Sequence, residues 1–477
     1  MMKKGGVRGK LSYGVGAVGL DLSYGLFYNY LAKYLTDVLL LKNNFLLFLT
    51  PIARIWDGVN DPMMGTIVDN GRMKMGKYRP WILIGSFSNA LVLTLLFSNP
   101  LHLSGTPLYA YVAVLYVAWG MTNTMADIPY WSMVPSFTSD PAERSIIATI
   151  ARTFSGAGQG IISIFTPIVL PLLSVKMMNG EKVWDAYGFS RWAMICSLGL
   201  IVFSSFSVSR TREKHITKPK EKFTFKKMFS IARHNDQLLI FMLFAMLSNA
   251  GWYMVSGVGA YYFDVVLGKP DGQSVFNLFG SAGSILGLAV IPIMMKFTSR
   301  RRTYQFSLAL ALVGFAGMFF SSKIPIVMNV CFLLASIGIA SMFISQTVFL
   351  ADIVDYGEVK QGFRSESIIF SMKGFLQKMA YTLQTIVLFS GLSLSGYDGT
   401  LHAQNSQTAK NAISFMMLIA PAILILLSLL LFTFKFKLHG KYMEEITAKV
   451  TANRAAEEAA AAQRKTEDGE ETAPAAE

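Results

Sequence analysis

The feature that most constrains this chain is a series of long apolar stretches separated by short polar segments. A helix needs about 20 mostly apolar residues to cross a bilayer. Twelve stretches of suitable length lie near 11–38, 45–68, 81–98, 107–133, 145–173, 188–209, 235–263, 275–295, 304–321, 325–350, 367–394 and 409–434. Only 15% of the 477 residues are charged, against about 25% in soluble proteins. The sequence therefore predicts an all-α membrane protein with twelve transmembrane helices, and it excludes an ordinary water-soluble enzyme.

Lysine and arginine are distributed unequally between the segments that join these stretches. On alternating sides, 24 of them lie on one side and seven on the other, with seven more in the tail. The cytoplasmic side of a membrane protein carries the excess of positive charge. We therefore expect both termini to be cytoplasmic and the chain to lie in a bacterial inner membrane. The net charge of +14 is then a consequence of topology and predicts no binding of nucleic acid.

The basic central stretch divides the chain into two similar halves. Residues 1–209 and 235–435 each contain six spans, residues 210–234 form a cytoplasmic middle loop, and residues 436–477 form a partly disordered cytoplasmic tail. Ala-Asp-Ile ends the fourth span of each half, at 126–128 and 351–353. Two pseudo-symmetric six-helix bundles are typical of alternating-access transporters, which hold the substrate between the halves. Such a carrier makes and breaks no covalent bond, so we expect neither an enzyme nor a cofactor.

Several ionisable residues fall deep within the predicted spans. Insertion scales put each such charge at about 2.5–3.5 kcal/mol, so seven unpaired ones would exceed a typical domain stability of about 5–15 kcal/mol. They must therefore meet one another, or water, inside the bundle. We place Lys33, Asp37 and Asp264 at the membrane interface. The deep set is Asp21, Arg54, Asp57, Asp61, Asp127, Arg152 and Lys378, which lacks one positive charge that a bound Na⁺, Li⁺ or H⁺ would supply.

The second span carries four of its polar residues on one helical face. Arg54, Asp57, Asn60 and Asp61 follow one another at spacings of three, three and one. Carboxylate and amide oxygens, with the hydroxyl of Thr124 on the fourth span, are ligands that suit a small hard cation. The alternative is a structural charge network that holds the helices together, with Arg152 and Lys378 as counter-ions. We favour the cation site because three oxygen-bearing side chains share the face.

An aromatic residue shares a stripe of the fourth span with a carboxylate. Thr124, Asp127 and Trp131 are spaced by three and four residues. Trp131 is either a packing residue or a platform on which the apolar face of a sugar ring stacks while the carboxylate binds its hydroxyls.

The loop after the second span, GRMKMGKYRP, carries four cations and predicts a cytoplasmic gate. In this hypothesis Arg72 pairs with acidic residues near the end of the tenth span. These are Asp352, Asp355 and Glu358. Neutralising Arg72 is then expected to change the transport rate more than the substrate affinity.

Several longer motifs carry a resemblance to a known family. ARIWDGVNDPMMG, KYRPWILIG, WGMTNTMADIPYWSMVP and ADIVDYGEVKQGFRSESI resemble the glycoside–pentoside–hexuronide:cation symporters, and the similarity extends from LSYGVGAVG to the twelfth span. The resemblance implies a major facilitator fold and sugar uptake coupled to Na⁺, Li⁺ or H⁺, by a protein that functions as a monomer. By position it places the cation site on Asp57, Asn60, Asp61 and Thr124. It places the sugar site on Asp21, Asp127, Trp131, Arg152, Phe343 and Lys378.

Two positions depart from the melibiose-transporting members of that family. Leu20 replaces a lysine, and Phe343 replaces a tryptophan, which keeps the aromatic surface but loses the indole N–H donor. Both fall on the sugar side, so an α-galactoside such as melibiose is the expected substrate with other glycosides open. The alternative is a lysolipid or amphiphile carrier of the same fold. A sensor would need a signalling module, which the tail does not resemble.

Overall fold

The computed structural model describes residues 7–71, 73–138, 141–178, 181–213, 233–362 and 366–452. Within them, twelve long helices follow the predicted order of spans. They are α1 (Val7–Lys33), α2 (Asn43–Asn70), α3 (Arg79–Ser98), α4 (Gly105–Ser132), α5 (Pro141–Leu173), α6 (Ala186–Arg210), α7 (Asp236–Tyr261), α8 (Gly272–Phe297), α9 (Arg300–Phe320), α10 (Pro325–Gln361), α11 (Glu366–Leu394) and α12 (Gln407–Lys435). The predicted order of twelve long helices is confirmed. Most of the middle loop and residues 453–477 of the tail lie outside the described residues.

Short elements complete the described chain. A two-stranded antiparallel hairpin, β1 (Met177–Met178) and β2 (Glu181–Lys182), lies between α5 and α6. A single helical turn, Val134–Phe137, follows α4, and a short 3₁₀-helix, His402–Gln404, precedes α12. Residues 440–452 of the tail are helical. Val134 and Ile446 of these elements are buried in the core, but the predicted cation and sugar residues all lie on the twelve long helices.

Eight of the helices in the described chain are long and apolar enough to cross a membrane. The other four, α1, α2, α4 and α11, are as long, at 27–29 residues, but contain more polar side chains. These four helices carry eight of the ten predicted cation and sugar residues, the exceptions being Arg152 on α5 and Phe343 on α10. Polar residues that predict function therefore contribute to the lower hydropathy of these helices.

Helix packing repeats between the halves. In the first half, α1 packs against α5, α2 packs against α4, and α3 packs against both α4 and α6. In the second half, α7 packs against α11, α8 packs against α10, and α9 packs against both α10 and α12. The halves meet along α2 and α11, α5 and α8, and α1 and α7. The contact of α2 with α11 is equivalent under the repeat to that of α5 with α8, and α1 and α7 occupy equivalent positions. The arrangement is the predicted pair of pseudo-symmetric six-helix bundles.

Both halves also repeat the structure of their helix ends. α1 and α7 each finish in a π-helical turn, Tyr34–Val38 and Tyr262–Val266, and each turn contains one aspartate. At the other end of the bundle, Arg79 donates hydrogen bonds of 2.9 and 3.1 Å to the carbonyl of Val208 near the end of α6. The last carbonyls of a helix lack intrahelical partners, so such donors stabilise its end.

Arg301 makes the equivalent bond in the second half. Its guanidinium donates to the carbonyl of Thr433 on α12 at 2.6 Å and also to the ring of His439. Burial, together with the charge of Arg301, lowers the pKa of His439, so the imidazole accepts this bond as a neutral ring. The two arginines therefore attach α3 and α9 to the last helices of their own halves. We call the end of the bundle that contains these two arginines the basic end. The first residues of α1 lie at the same end.

One span is longer than predicted. α10 continues to Gln361 rather than stopping near 350, because the segment ADIVDYGEVKQ contains no proline and its glycine at 357 is tolerated within the helix. The helix ends at Gly362, whose φ of 75° suits a residue without a side chain. Asp352, Asp355 and Glu358 therefore lie on the helix itself, at the basic end.

Candidate functional site

The polar face of α2 lies inside the bundle, as predicted. Arg54, Asp57 and Asn60 are buried and Asp61 is half-buried. Arg54 donates to Asp57 at 2.6 Å and to the hydroxyl of Tyr28 at 2.8 Å. The face is thus turned away from the lipid side of the helix, where Ile52, Ile55 and Val59 are exposed.

Three tyrosines enclose the Arg54 guanidinium. The rings of Tyr28 and Tyr381 lie 4.9 and 5.2 Å from its central carbon, and that of Tyr116 lies at 5.8 Å. Cations over aromatic faces are stabilised, most strongly where water is excluded. Tyr381 comes from the second half, so the cage closes across the interface between halves. No spacing pattern in the sequence predicts this cage, because its members lie on α1, α4 and α11.

A glycine on α4 permits the close approach of Asp57. A Cβ at Gly120 would lie 2.6 Å from the Asp57 Oδ1 atom, closer than real contacts allow. Gly120 is therefore a component of the predicted cation site that sequence reasoning missed. Its only signal is a glycine inside an apolar helix, which also occurs where helices simply pack closely.

Asp61 joins the two halves. Its carboxylate accepts a hydrogen bond of 2.9 Å from Thr124 on α4 through one oxygen, and its other oxygen contacts the ammonium of Lys378 on α11. Thr124 belongs to the predicted cation set and Lys378 to the predicted sugar set. The structure thus brings α2 and α4 together at the predicted oxygen ligands and puts a protein cation beside them.

The predicted sugar-binding residues of the first half form a second cluster. The Trp131 indole donates to Asp127 at 2.9 Å, and the Arg152 guanidinium lies over its ring at 3.8 Å. Asp21 accepts a bond of 3.0 Å from Gln159 on α5, a residue that the sequence did not single out. Gly158, on the same helix, approaches so closely that a Cβ there would lie 2.9 Å from the Asp21 Cβ.

One predicted sugar-binding residue, Phe343, lies in the second half, on α10. Phe343 is half-buried and packs against the core of the second half. One turn further along α10, the Thr347 hydroxyl accepts a hydrogen bond of 2.6 Å from the ammonium of Lys373 on α11. Sequence reasoning missed Lys373, although its position five residues before Lys378 places it within the same span.

The predicted gate stays a prediction. Arg72 lies outside the described residues. Asp352 is buried and pairs at 2.6 Å with Arg300 of its own half, at the start of α9. Asp355 and Glu358 lie further along α10. The described ion pair of Asp352 is therefore made within the second half.

A charged cluster closes the end of the bundle away from the basic end. Lys33 is 2% exposed and its ammonium lies 2.5 Å from Asp37 and 2.7 Å from Asp264. His402 contacts Asp264 at 2.9 Å, and Tyr397 donates to Asp37 at 2.8 Å. We call these five residues the seal cluster. The sequence placed its lysine and two aspartates at the membrane interface, whereas the structure buries the lysine between the halves.

Geometrically the seal cluster also resembles a metal site, since ligand atoms of Asp37, Asp264 and His402 lie within 4.8 Å of one another. The Lys33 ammonium already lies at 2.5 and 2.7 Å from the two carboxylates and would repel a metal ion there. We therefore interpret the cluster as an ionic contact between halves.

Comparison with known proteins agrees with this architecture. The family model described as MFS/sugar transport protein matches residues 12–440. The lactose permease of Lactobacillus helveticus is 27% identical over 92% of this chain and 72% of its own length. The isoprimeverose transporter of Lactiplantibacillus pentosus is 28% identical over 87% of this chain and 85% of its own length.

Among solved structures, a bacterial homologue of the human lysosomal transporter Spinster superimposes with a TM-score of 0.66. It is 12% identical and covers 93% of this chain and 98% of its own. At this identity the likeness establishes the fold alone. It confirms the predicted major facilitator architecture independently of the sequence motifs.

Proposed function

The chain belongs to the MFS/sugar transport protein family, and from that premise we propose that it is a symporter that carries a sugar together with Na⁺, Li⁺ or H⁺. It is a membrane transporter and not an enzyme. Relatives named for lactose and isoprimeverose support a sugar as the substrate. We place it in a bacterial inner membrane with the basic end, and hence both termini, in the cytoplasm.

The observation that carries the proposal is the double contact of Asp61. One carboxylate oxygen accepts from Thr124 of the first half, and the other contacts Lys378 of the second. The Lys378 ammonium thus lies where a coupling cation would bind the same carboxylate. A Na⁺ ion that bound Asp57, Asn60, Asp61 and Thr124 would compete with Lys378 for Asp61.

This competition provides a physical basis for coupling. When the cation binds, Lys378 leaves Asp61 and becomes available to the sugar hydroxyls, which raises sugar affinity. The coupling is reciprocal, so the sugar must raise cation affinity by the same factor. Asp57 stays paired with Arg54 through Oδ2, at 2.6 Å, and its Oδ1 atom remains for the cation.

The sugar is proposed to bind in a central cavity between the two halves. Asp21 and Asp127 accept its hydroxyl groups, Trp131 and Phe343 contact its apolar face, and Arg152 lies over Trp131 at 3.8 Å. This polar lining favours a sugar over the amphiphile of the alternative hypothesis. An α-galactoside such as melibiose is the substrate we propose to test first.

Movement follows from the placement of the contacts between halves. Two ionic contacts of the described residues cross between the halves, those of Lys33 with Asp264 in the seal cluster and of Asp61 with Lys378. We infer that the described state is closed on the periplasmic side, and that release of the seal cluster opens the cavity outwards.

Uptake into proteoliposomes tests the proposal. The purified full-length chain is supplied with α- and β-galactosides under imposed Na⁺, Li⁺ or proton gradients. Uptake of at least one sugar that requires one of these gradients is expected. Sugar uptake at the same rate without any cation gradient would contradict coupling, and uptake of lysolipid but not of sugars would favour the alternative.

A further inference from the structure

A proline in the periplasmic half of α5 removes one hydrogen bond from the helix. Pro167 has no backbone N–H, and in a regular helix that N–H would bond the carbonyl of Ser163, one turn earlier. Within a membrane, carbonyl groups that are freed in this way take donors from neighbouring helices and side chains. The Ser163 carbonyl therefore depends on a donor from outside its own helix backbone.

Two side chains donate to this carbonyl, one from each half. The amide of Asn277, on α8 of the second half, lies 2.6 Å from the Ser163 oxygen, and the hydroxyl of Tyr30, on α1 of the first half, lies 3.4 Å from it. Tyr30 is fully buried, whereas Asn277 is half-buried. The shorter bond thus crosses between the halves, and the longer contact stays within the first half.

This contact lies between the sugar-binding cluster and the seal cluster. Asn29 on α1, one turn before Lys33, donates to the Ser163 hydroxyl at 3.4 Å. On α5, Gln159 lies one turn before Ser163 and donates to Asp21 at 3.0 Å. Opening of the cavity outwards separates the halves at this depth, so it breaks the bond from the second half to the Ser163 carbonyl.

We propose that Asn277 and Tyr30 are alternative donors to the Ser163 carbonyl. Asn277 bonds the carbonyl while the periplasmic side is closed, and Tyr30 takes its place when the halves separate there. The exchange lowers the free energy needed for opening, because the carbonyl then never lacks a donor. Both are positioning residues for the change between the closed and open states. This inference rests on the proposed function, because it concerns the same alternation of access.

Thiol labelling in right-side-out membrane vesicles tests the exchange without any sugar or cation gradient. The reporter is a cysteine introduced at Ser393, near the periplasmic end of α11, and the chain without it gives the background. Asn277→Leu removes the donor of the closed state, so labelling by an impermeant reagent is expected to become about fivefold faster, the factor for one neutral hydrogen bond. Tyr30→Phe removes the donor of the open state, so labelling is expected to become about fivefold slower.

Pro167→Ala supplies the backbone N–H that the helix lacks. The Ser163 carbonyl is then bonded inside α5 in both states, and neither side-chain donor is needed. In this background Asn277→Leu and Tyr30→Phe are each expected to change the labelling rate by less than about twofold, because their effects depend on the freed carbonyl. Pro171→Ala, one turn further along the same helix, is the matched control, in which the two opposite effects are expected to persist.

The opposite signs distinguish donor exchange from a general loss of packing. Faster labelling in both Asn277→Leu and Tyr30→Phe, or an unchanged rate in Tyr30→Phe, would overturn the exchange, as would full effects in the Pro167→Ala background. Where Asn277→Leu does not fold, Tyr30→Phe decides alone, since it keeps the ring and removes only the hydroxyl. Labelling requires no transport of sugar, so sugar uptake without a cation gradient would overturn symport and leave the exchange intact.

Discussion

The two ends of the bundle hold their charges differently. In the seal cluster Lys33 is almost fully buried and bridges the halves, with side-chain exposures of 3% for Lys33 and 13% for Asp264. At the basic end Lys360 and Asp236 pair within one half and are 43% and 48% exposed. Exposed pairs contribute about 0–1 kcal/mol, whereas removing one partner of a buried pair costs about 3–5 kcal/mol. We therefore propose that the seal cluster determines which side is closed.

The pseudo-symmetry explains how one lysine comes to serve both halves. Each of the π-helical turns that end α1 and α7 contains one aspartate, Asp37 as the fourth residue of the first turn and Asp264 as the third residue of the second. Lys33 immediately precedes the first turn, whereas Tyr261 immediately precedes the second, so only the first half supplies an ammonium there. The single ammonium therefore contacts the aspartate of its own half and that of the other half.

Breaking the seal cluster is expected to have the largest effect. Lys33→Met leaves two buried carboxylates next to each other and destabilises the closed end by about 3–5 kcal/mol. A cysteine introduced at Ser393, which bonds Asn44 across the same end at 2.7 Å, reports the opening. Its labelling by an impermeant thiol reagent from outside is expected to rise at least about tenfold.

Lys42→Met is the control for that experiment, because Lys42 is exposed at the same end. The chain without the introduced cysteine measures background labelling of Cys196 and Cys331. Unchanged labelling in Lys33→Met would show that the seal cluster does not hold the halves together.

A substitution at Gly120, inside the first half, is expected to have a smaller effect, on the Na⁺ dependence of uptake. Gly120→Ala puts a Cβ 2.6 Å from Asp57 Oδ1, so the carboxylate must shift away from the cation position. The Na⁺ concentration for half-maximal uptake is expected to rise about tenfold, since small misplacements of ligating groups have effects of this order. Gly65→Ala on α2, where no atom lies within 4 Å of the new methyl group, is the matched control. Equal Na⁺ dependence in the two variants would contradict the role of Gly120.

A substitution at Lys360, at the basic end, is expected to have the smallest effect, on the free energy of unfolding. Lys360→Gln removes an exposed partner of Asp236, which keeps its hydrogen bond of 2.7 Å from Tyr356. The free energy of unfolding is expected to change by less than about 1 kcal/mol, with uptake unchanged. Thermal unfolding in detergent measures the change. A loss as large as that of Lys33→Met would remove the distinction between the two ends.

Sequence reasoning predicted the spans well because bilayer thickness and hydropathy fix them directly. The pairing of Arg54 with Asp57 also follows from a spacing of three residues on one helix. In contrast, the contact of Lys378 with Asp61 joins residues 317 apart, and no local pattern encodes it. The burial of Lys33 was missed for the same reason, because its second carboxylate comes from α7.

The central claim is that Asp61 holds Lys378 in the absence of a coupling cation and releases it when the cation binds. Titration calorimetry of the transported sugar, with and without Na⁺, tests it in the wild-type chain and in Asp61→Asn. We predict that Na⁺ raises sugar affinity about tenfold in the wild type and leaves it unchanged in Asp61→Asn, in which Lys378 has lost its carboxylate. An undiminished rise with Na⁺ in Asp61→Asn would contradict the account.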